Sequence, residues 1–373
     1  MVGARPQFIK AAAVSRAISS PGGSIQEQIL HKGQHFDAAM SDQFFVELGI
    51  PQPSFHLGIG GSSHGANTGR MLEAIERVLL DTLPDVVLVY GDTDSTLAGA
   101  LAASKLKIPV VHVEAGLRSF NRHQPEEQNR VLTDHLADLC FAPTDTAVAH
   151  LQREGIPVER IIRTGDVMAD AARIFGGEAQ EQEGELLAAA GLQSLAVGNQ
   201  PFVLATIHRA ENTDNPARLE AILKVLASVA TNGAGRFQPL PVLLPLHPRT
   251  RARIDTYQLQ HLLKPLTLLP PLGFLAMVLL ERRACLVVTD SGGVQKEAFL
   301  QGTPCVTVRT ETEWVELVDC GWNRLADPAD SAEMLMAIQQ QLGIDASQHR
   351  SPLYGDGHAA ETIVARLQEL RFP

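Results

Sequence analysis

The sequence predicts an α/β protein with two doubly wound, parallel-sheet domains that face a cleft. Buried apolar strands alternate with amphipathic helices along most of the chain. A polar segment rich in Gly, Glu and Gln, 176–200, interrupts this alternation before it starts again. The length of 373 residues is sufficient for two such domains. We place them at 1–167, with a C-terminal helix at 358–373 packing back on the first domain, and at 168–357.

The first element is a helix in ARPQFIKAAAVSRAI, where Pro6 suits the first helical turn. An α/β fold places a strand before such a helix, and only a few residues precede it here. The first strand is therefore cut short, or it begins upstream of this sequence. QEQILHKGQHFD then reads as a strand, MSDQFFVELGI as a short helix, and 51–65 as a long loop rich in Gly, Pro and Ser.

The segment 85–119 is the clearest strand–helix–strand unit. Its strands end at Tyr90 and Val113, so Asp92 and Glu114 follow the carboxyl ends of parallel strands, where such sheets bind ligands. Two simpler explanations stay open. Asp92 could cap the next helix. In the helix that begins at Pro125, Glu126 and Arg130 could form a surface ion pair worth about 0.2–0.5 kcal/mol.

The second half repeats the pattern. FVLATIHRAEN is a strand that leads to a helix capped by Asn215, and PVLLPLHPRT is a strand that ends at His247. CLVVTDSGGVQKEAFLQG is a buried strand, a tight turn at 291–293 and a helix. Glycines allow a ligand to approach the backbone, and free N–H groups at a helix start favour phosphate. The alternative is an ordinary strand–helix connection.

Composition limits the classes of partner. The net charge of −11 argues against nucleic acid or an anionic membrane as the main partner. The sequence contains no apolar run of membrane-spanning length, no leader and no cysteine spacing typical of metal sites. We interpret the four cysteines as reduced thiols and expect a cytoplasmic protein.

Six motifs give the chain a resemblance to a known family. GARPQFIKAA, YGDTDSTLA, HVEAGLRS, PEEQNR, HRAEN and TDSGGVQKEA, in this order and spacing, resemble the non-hydrolysing UDP-N-acetylglucosamine 2-epimerase family over almost the whole chain. The resemblance implies two Rossmann-like domains in the glycosyltransferase B-type arrangement, with UDP held mainly by the second. It also implies a UDP-sugar substrate and a homodimer that supplies activated sugar for a surface polysaccharide.

By position, the resemblance points to four catalytic candidates, Asp92, Glu114, Glu126 and His208. The substrate-binding candidates are Arg5, Lys10, Arg130, His247, Leu272, Met277, Ser291, Gly292, Gly293 and Glu297. Gln43, Arg70 and Arg209 fall where some members bind a second, activating UDP-N-acetylglucosamine.

The chemistry of inversion at carbon 2 also predicts which groups the site requires. The proton on carbon 2 of an N-acetylhexosamine is too weakly acidic for direct removal. Loss of UDP from carbon 1 gives the ring oxocarbenium character and makes this proton acidic, so elimination forms a 2-acetamidoglycal. Readdition of UDP with protonation on the other face inverts carbon 2. Cations and backbone donors stabilise the leaving diphosphate, and carboxylates move the proton. This route requires neither a nicotinamide nor a metal.

Two positions depart from the family pattern: Gln7 stands where Glu is frequent, and Trp314 stands where an Arg often touches the substrate. These features are similar to a branch whose members act on UDP-2,3-diacetamido-2,3-dideoxyglucuronate, which is therefore an alternative substrate. Two other functions stay open, a two-domain nucleotide-sugar glycosyltransferase and a non-catalytic nucleotide-sugar sensor.

Overall fold

The computed structural model describes residues 1–3, 5–21, 23–33, 45–193, 200–345 and 352–369. The chain forms two compact units, one of Met1–Ile174 with Pro352–Pro373 and one of Phe175–Ser351. Each unit contains a sheet of parallel strands, so the predicted α/β class with two parallel-sheet domains is confirmed. The exact limits drawn from the sequence, 1–167 with 358–373 and 168–357, stay predictions.

The first unit alternates strands and helices. Its elements are α1 (Arg5–Ile18), β1 (Leu30–His31), β2 (Phe55–His56), α2 (His64–Thr82), β3 (Val87–Tyr90), α3 (Asp94–Lys105), β4 (Val110–Val113), α4 (Pro125–Leu136), β5 (Leu139–Ala142), α5 (Asp145–Arg153), β6 (Ile161–Arg163), α6 (Val167–Glu181), which continues into the second unit, and the last helix of the described chain (Ala359–Glu369).

Strands β3, β4, β5 and β6 form one parallel sheet in that order, and β1 pairs with β2. Val2 makes a parallel bridge to His31, beside the β1–β2 pair. The strand ends predicted at Tyr90 and Val113 are confirmed. A run of four apolar residues predicts these strands well because both faces of a parallel sheet are covered.

The last helix packs on α1 within the first unit. Asp170 of α6 fixes the start of this helix, because its carboxylate accepts hydrogen bonds from the N–H groups of Ala359 and Ala360 at 3.1 and 2.7 Å. These are two of the N–H groups that a helix leaves without internal partners. A buried carboxylate therefore replaces the solvent at this helix start.

The second unit also alternates strands and helices. After α6 its elements are α7 (Glu183–Ala189), β7 (Val203–Thr206), α8 (Ala210–Thr213), α9 (Pro216–Asn232), β8 (Val242–Pro245), α10 (Pro248–Thr256), β9 (Thr267–Leu269), α11 (Phe274–Arg283), β10 (Leu286–Thr289), α12 (Gly292–Gln301), β11 (Cys305–Thr307), α13 (Val315–Asp319), β12 (Asn323–Leu325) and α14 (Ser331–Gln341); the last helix of the chain is α15.

The six parallel strands lie in the order β12-β11-β10-β7-β8-β9. From β7, successive strands of the chain add on one side as β8 and β9, and then on the other side as β10, β11 and β12. The direction in which strands are added therefore reverses between β7 and β10. In doubly wound sheets the crevice at such a reversal, outside the carboxyl ends of the strands, is the place where ligands bind. The loops that begin at Ile207 and Asp290 flank this point.

Other features of the described chain bear on the sequence predictions. Strand β8 ends at Pro245, and His247 instead caps α10, so the strand end predicted at His247 was wrong by two residues. All four cysteines are free thiols, and Cys320 is exposed. Among the described helices, none has the length and apolar character needed to cross a membrane.

Candidate active site

Asp92 lies two residues beyond the end of β3. Gly91, at φ 65°, turns the chain there, and the Asp92 side chain is about 31% exposed. Arg130 Nη2 donates to Asp92 Oδ2 at 2.5 Å, and Asn129 Nδ2 donates to the Asp92 carbonyl at 2.9 Å. The helix that follows is capped by Thr93, so the interpretation of Asp92 as a helix cap was wrong.

Glu114 occupies the corresponding place after β4. Its φ of 72° lies in the left-handed region, which a non-glycine residue seldom adopts. Residues held in such conformations concentrate at functional sites. The Glu114 carboxylate is buried and forms an ion pair with Lys10 of α1. The protein therefore holds a second carboxylate at the next strand end, with a cation beside it.

The two carboxylates and two cations affect one another. Burial raises the pKa of Asp92, and the nearby charge of Glu114 raises it further, whereas Arg130 and Lys10 lower it; the net shift is upward. A carboxyl group with a raised pKa is better suited to exchange a proton near neutral pH than an ordinary aspartate. The strand ends of β3 and β4 thus hold two carboxylates, each with a cation beside it.

The ion pairs of helix α4 differ from the pair that the sequence predicted. Glu126 is exposed, and Arg130 pairs with Glu127 Oε2 at 3.0 Å as well as with Asp92, so the Glu126–Arg130 ion pair considered above was the wrong pairing. The role of Glu126 as a catalytic group stays a prediction.

Glu127 is a supporting residue that sequence reasoning missed. Its Oε2 accepts the N–H of Ser119 at 2.9 Å and its Oε1 accepts that of Phe120 at 3.0 Å. Burial raises the pKa of Glu127, but these N–H groups and Arg130 outweigh it, so the net pKa is below the usual range. An ionised Glu127 therefore orients Arg130 toward Asp92. Its position next to Glu126 gave no signal that only one of the two is buried.

In the second unit, the buried Asp290 after β10 organises the loop after β7. Its carboxylate accepts the N–H groups of His208 and Arg209, each at 3.0 Å, and the Asn212 amide at 3.1 Å. The His208 ring is about 43% exposed, with Nδ1 at 3.5 Å from Asp290 Oδ1. Its ring centroid lies 6.0 Å from that of His247. Two imidazoles thus lie near each other beyond the carboxyl ends of β7 and β8.

The turn at 291–293 begins α12, as its sequence predicts. Ser291 Oγ accepts the N–H of Val294 at 3.4 Å and caps the helix. A Cβ on Gly292 would lie 2.0 Å from Glu313 Oε1, so a larger residue requires that carboxylate to move. Gly293 is exposed, and the nearest heavy atom to a Cβ at this position would be Ser291 Oγ, at 3.9 Å. The backbone of Gly293 is therefore open to a ligand at the positive end of α12.

Trp314, where the resemblance led us to expect an arginine, supports this turn. Its Nε1 donates to the Gly292 carbonyl at 3.0 Å, and Lys296 Nζ lies 4.1 Å from its ring centroid. The stacked ammonium is a cation–π contact. Nearby, the buried Arg309 donates to Glu313 at 3.0 Å. Trp314 thus contacts both the turn and Lys296; an arginine could donate to the Gly292 carbonyl, but it has no aromatic ring for the Lys296 ammonium.

The remaining candidates are placed as follows. Leu272 is half-buried before α11, Met277 is buried in α11 and Glu297 is half-buried in α12. Arg70 is exposed on α2 and donates to Asn67, whereas Arg209 lies near Glu211, with 3.9 Å between charged atoms. Gln43 and the Arg5 side chain lie outside the described residues. Within the described ranges no three His, Cys, Asp or Glu side chains form a metal site.

The fold and these sites define a class. A doubly wound sheet with a glycine turn at its reversal point is typical of proteins that bind nucleotides, and the first unit adds a pair of carboxylates with cations, which is typical of acid–base catalysis.

Comparison with known proteins identifies the family. The sequence profile of the UDP-N-acetylglucosamine 2-epimerase family matches residues 19–368. The chain is 49% identical to the UDP-2,3-diacetamido-2,3-dideoxy-D-glucuronate 2-epimerase of Pseudomonas aeruginosa, over 99% of both chains. Its structure resembles that of the UDP-GlcNAc 2-epimerase of Methanocaldococcus jannaschii in complex with UDP-GlcNAc and UDP, with a TM-score of 0.85, 38% identity and 98% coverage of each chain. The UDP-GlcNAc 2-epimerase of Neisseria meningitidis, bound to UDP-GlcNAc, is also similar, with a TM-score of 0.83 and 28% identity; the match covers 99% of this chain and 98% of that one.

The chain belongs to the UDP-N-acetylglucosamine 2-epimerase family, and it is an enzyme.

Proposed function

We propose that this enzyme inverts carbon 2 of a UDP-N-acetylhexosamine, converting UDP-GlcNAc to UDP-ManNAc by elimination and readdition of UDP. The observation that carries the proposal is the pair of carboxylates, Asp92 and Glu114, at neighbouring strand ends, each with a cation beside it. Inversion through a planar intermediate requires one group to remove a proton and another to return it on the opposite face.

The elimination has a simple balance of atoms. A carboxylate takes the carbon 2 proton, the electron pair of that C–H bond forms the C1–C2 double bond, and the C1–O bond breaks with its electrons on the UDP oxygen. The return reaction protonates carbon 2 on the other face and reforms the C1–O bond. Asp92, Glu114 and Glu126 are the proposed proton carriers.

The departing diphosphate requires positive charge and hydrogen-bond donors. We propose that Ser291, Gly292 and Gly293 bind it through the N–H groups at the start of α12, assisted by His208 with Arg5, Lys10 and Arg130. Support comes from the open backbone at Gly293 and from the position of this turn where strand order reverses. We further propose that His247, Leu272, Met277 and Glu297 contact the nucleoside.

A second substrate is favoured by one specific observation. The relative with 49% identity over almost the whole chain acts, by its name, on the diacetamido uronate. The elimination route is unchanged for this sugar, because it depends on carbons 1 and 2 alone. We propose this UDP-sugar as the alternative substrate, and we propose that the enzyme is a homodimer. We also propose a cytoplasmic location, with which the four free thiols agree.

One assay separates these functions. The wild-type enzyme is incubated in D₂O with each UDP-sugar in turn, and carbon 2 is followed by proton NMR. We expect loss of the carbon 2 proton signal together with a manno-configured product, faster for the physiological sugar. The Asp92→Asn variant, in which the side chain cannot carry the proton, is the control. An unchanged carbon 2 with both sugars would exclude the epimerase function and favour a glycosyltransferase or a sensor.

A further inference from the structure

His112, in the middle of β4, is a buried histidine whose two ring nitrogens both have partners. Its side chain has no exposed surface. Nε2 lies 2.7 Å from the Gly91 carbonyl oxygen, and Nδ1 lies 2.6 Å from Asp134 Oδ1. Both distances are those of strong hydrogen bonds. The two partners sit on different elements, the end of β3 and the helix α4.

The chemistry of the partners fixes the protons on this ring. A carbonyl oxygen can only accept, so Nε2 must carry a proton. An ionised carboxylate can also only accept, so Nδ1 must carry one too. Asp134 is held ionised by Arg118 Nη1 at 2.7 Å and by the N–H of Gly116 at 3.1 Å. A ring with two N–H groups is an imidazolium cation.

The charges around this cation are balanced. Asp134 is the anion next to His112, Arg118 is the cation beyond it, and Glu154 pairs with Arg118 at 2.6 Å. From β5, the residue paired with His112 is Cys140, whose thiol stays neutral because burial raises its pKa above the usual range. A buried charge is tolerated when it is paired and hydrogen-bonded. The alternating row of charges satisfies that requirement.

The bond to Gly91 bears directly on Asp92. Three consecutive carbonyls at the end of β3 each accept a side-chain donor: Gln7 Nε2 donates to Tyr90 at 2.9 Å, His112 to Gly91, and Asn129 Nδ2 to Asp92 at 2.9 Å. Because Gly91 has a φ of 65°, the peptide that joins it to Asp92 is turned away from the strand direction. His112 is the charged member of this set and fixes the plane of that peptide.

The His112–Asp134 pair also contacts the loop that follows the second carboxylate, Glu114. Asp134 accepts the N–H of Gly116, two residues after Glu114, while it also accepts from His112. A Cβ at Gly116 would lie 2.4 Å from the Ala147 carbonyl oxygen, so only glycine fits at this position of the loop without movement of α5. The His112–Asp134 pair therefore joins the turn that carries Asp92 to the loop that carries Glu114.

We propose that His112 is a positioning residue, which donates from both ring nitrogens and so fixes the Gly91–Asp92 peptide through Nε2 and, through Asp134, the loop after Glu114. The inference rests on the proposed function of Asp92 and Glu114 as proton carriers. It assigns His112 no contact with the substrate. A displacement of about 1 Å at a reacting group can reduce turnover by about 100-fold.

Two substitutions separate the two bonds of the ring. Gln at position 112 can place its amide N–H near the position of Nε2, so His112→Gln retains a donor for the Gly91 carbonyl. Asn is shorter and can reach only toward Asp134, so His112→Asn loses that donor. We expect His112→Asn to lower kcat by about 10- to 100-fold with KM and UDP affinity unchanged, and His112→Gln to retain most of the activity. His261→Asn, an exposed histidine of the second unit, is the control.

The readouts distinguish positioning from simple loss of stability. Equal losses of kcat in His112→Asn and His112→Gln, or losses that follow their melting temperatures, would overturn the positioning role.

Nitrogen NMR of ¹⁵N-histidine-labelled enzyme tests directly whether both ring nitrogens of His112 carry a proton. The His112 signals are identified by their absence in His112→Gln. We expect two N–H type nitrogens in the folded enzyme, and one unprotonated nitrogen would contradict the proposal. If the wild-type enzyme exchanged no deuterium at carbon 2, the proposed function would be wrong. The nitrogen NMR result would still decide whether the His112 ring carries two protons.

Discussion

Arg130 bonds to two carboxylates at once: its Nη2 donates to Asp92 Oδ2 at 2.5 Å and its Nη1 to Glu127 Oε2 at 3.0 Å. Glu127 is fixed by backbone N–H groups of the preceding loop. The guanidinium is therefore held in place by one carboxylate and lowers the pKa of the other, against the effect of burial.

The first prediction concerns the pH dependence of turnover. Replacing Arg130 by Gln removes the charge that lowers the pKa of Asp92, so this pKa should rise further. If Asp92 acts as a base, it must be ionised, and the acid limb of kcat/KM against pH should move to higher pH. Arg77→Gln, which removes an exposed ion pair on α2, is the control and should leave the profile unchanged. An acid limb at the same pH in Arg130→Gln would show that Asp92 is not the titrating group.

The second prediction concerns the carboxylates themselves. Asp92→Asn and Glu114→Gln preserve shape but cannot carry the proton, so each should lower kcat by about 10²- to 10⁴-fold. The affinity for UDP, measured by calorimetry, should change little, because the carboxylates act on the sugar. Glu126→Gln tests the third candidate in the same way. Loss of UDP binding in Asp92→Asn and Glu114→Gln together would mean that these residues bind the nucleotide instead.

The third prediction concerns the glycine turn. Trp314→Phe retains an aromatic ring beside Lys296 but removes the N–H that donates to the Gly292 carbonyl. The loss of this hydrogen bond should cost about 1 kcal/mol and raise the Kd for UDP by about fivefold. Trp322→Phe is the matched control, because Trp322 packs against Phe299 instead. Equal Kd values for the two variants would argue against UDP binding at this turn.

The fourth prediction concerns stability. Burial raises the pKa of Asp170 to about 6, from an ordinary value of 3.8. Between these values the folded protein binds a proton that the unfolded chain has released. The contribution of Asp170 to stability is therefore fully present below the ordinary value and is lost as the pH rises through about 6. Over this range the free energy of unfolding of wild type, relative to Asp170→Asn, should fall by about 3 kcal/mol.

Denaturant unfolding at several pH values checks this prediction. Asp330→Asn, at the exposed cap of α14, provides the control for helix capping without burial. A stability difference between wild type and Asp170→Asn that stays constant from acid to neutral pH would contradict the raised pKa.

Local signals in the sequence predicted much of the fold. The apolar runs that end at Tyr90 and Val113, the proline at the start of α4 and Asn215 before α9 each act within a few residues, so they can be recognised without a structure. The β2–β1 pairing and the reversal of strand order at β7 depend on contacts between distant segments. No local pattern encodes them.

The site shows the same limit. Asp92 and Glu114 were recognised because polar residues at strand ends are conspicuous, whereas His112 lies within an apolar strand and resembles a core residue. Its partner Asp134 is 22 residues away on a helix. Glu127 differs from Glu126 only by the face of α4 on which it lies. Trp314 was noticed as a departure, but its bond to the Gly292 carbonyl required the structure.

The most direct test of the proposed chemistry follows the oxygen that joins carbon 1 of the sugar to the β-phosphate. UDP-GlcNAc labelled with ¹⁸O at this bridge is incubated with the wild-type enzyme, and phosphorus NMR locates the label in the recovered UDP-sugar. We expect the label to spread from the bridge to the non-bridging positions of the β-phosphate, because UDP leaves carbon 1 and its terminal phosphate rotates before it returns. Epimerised sugar that retains all of its label in the bridge would contradict elimination and readdition.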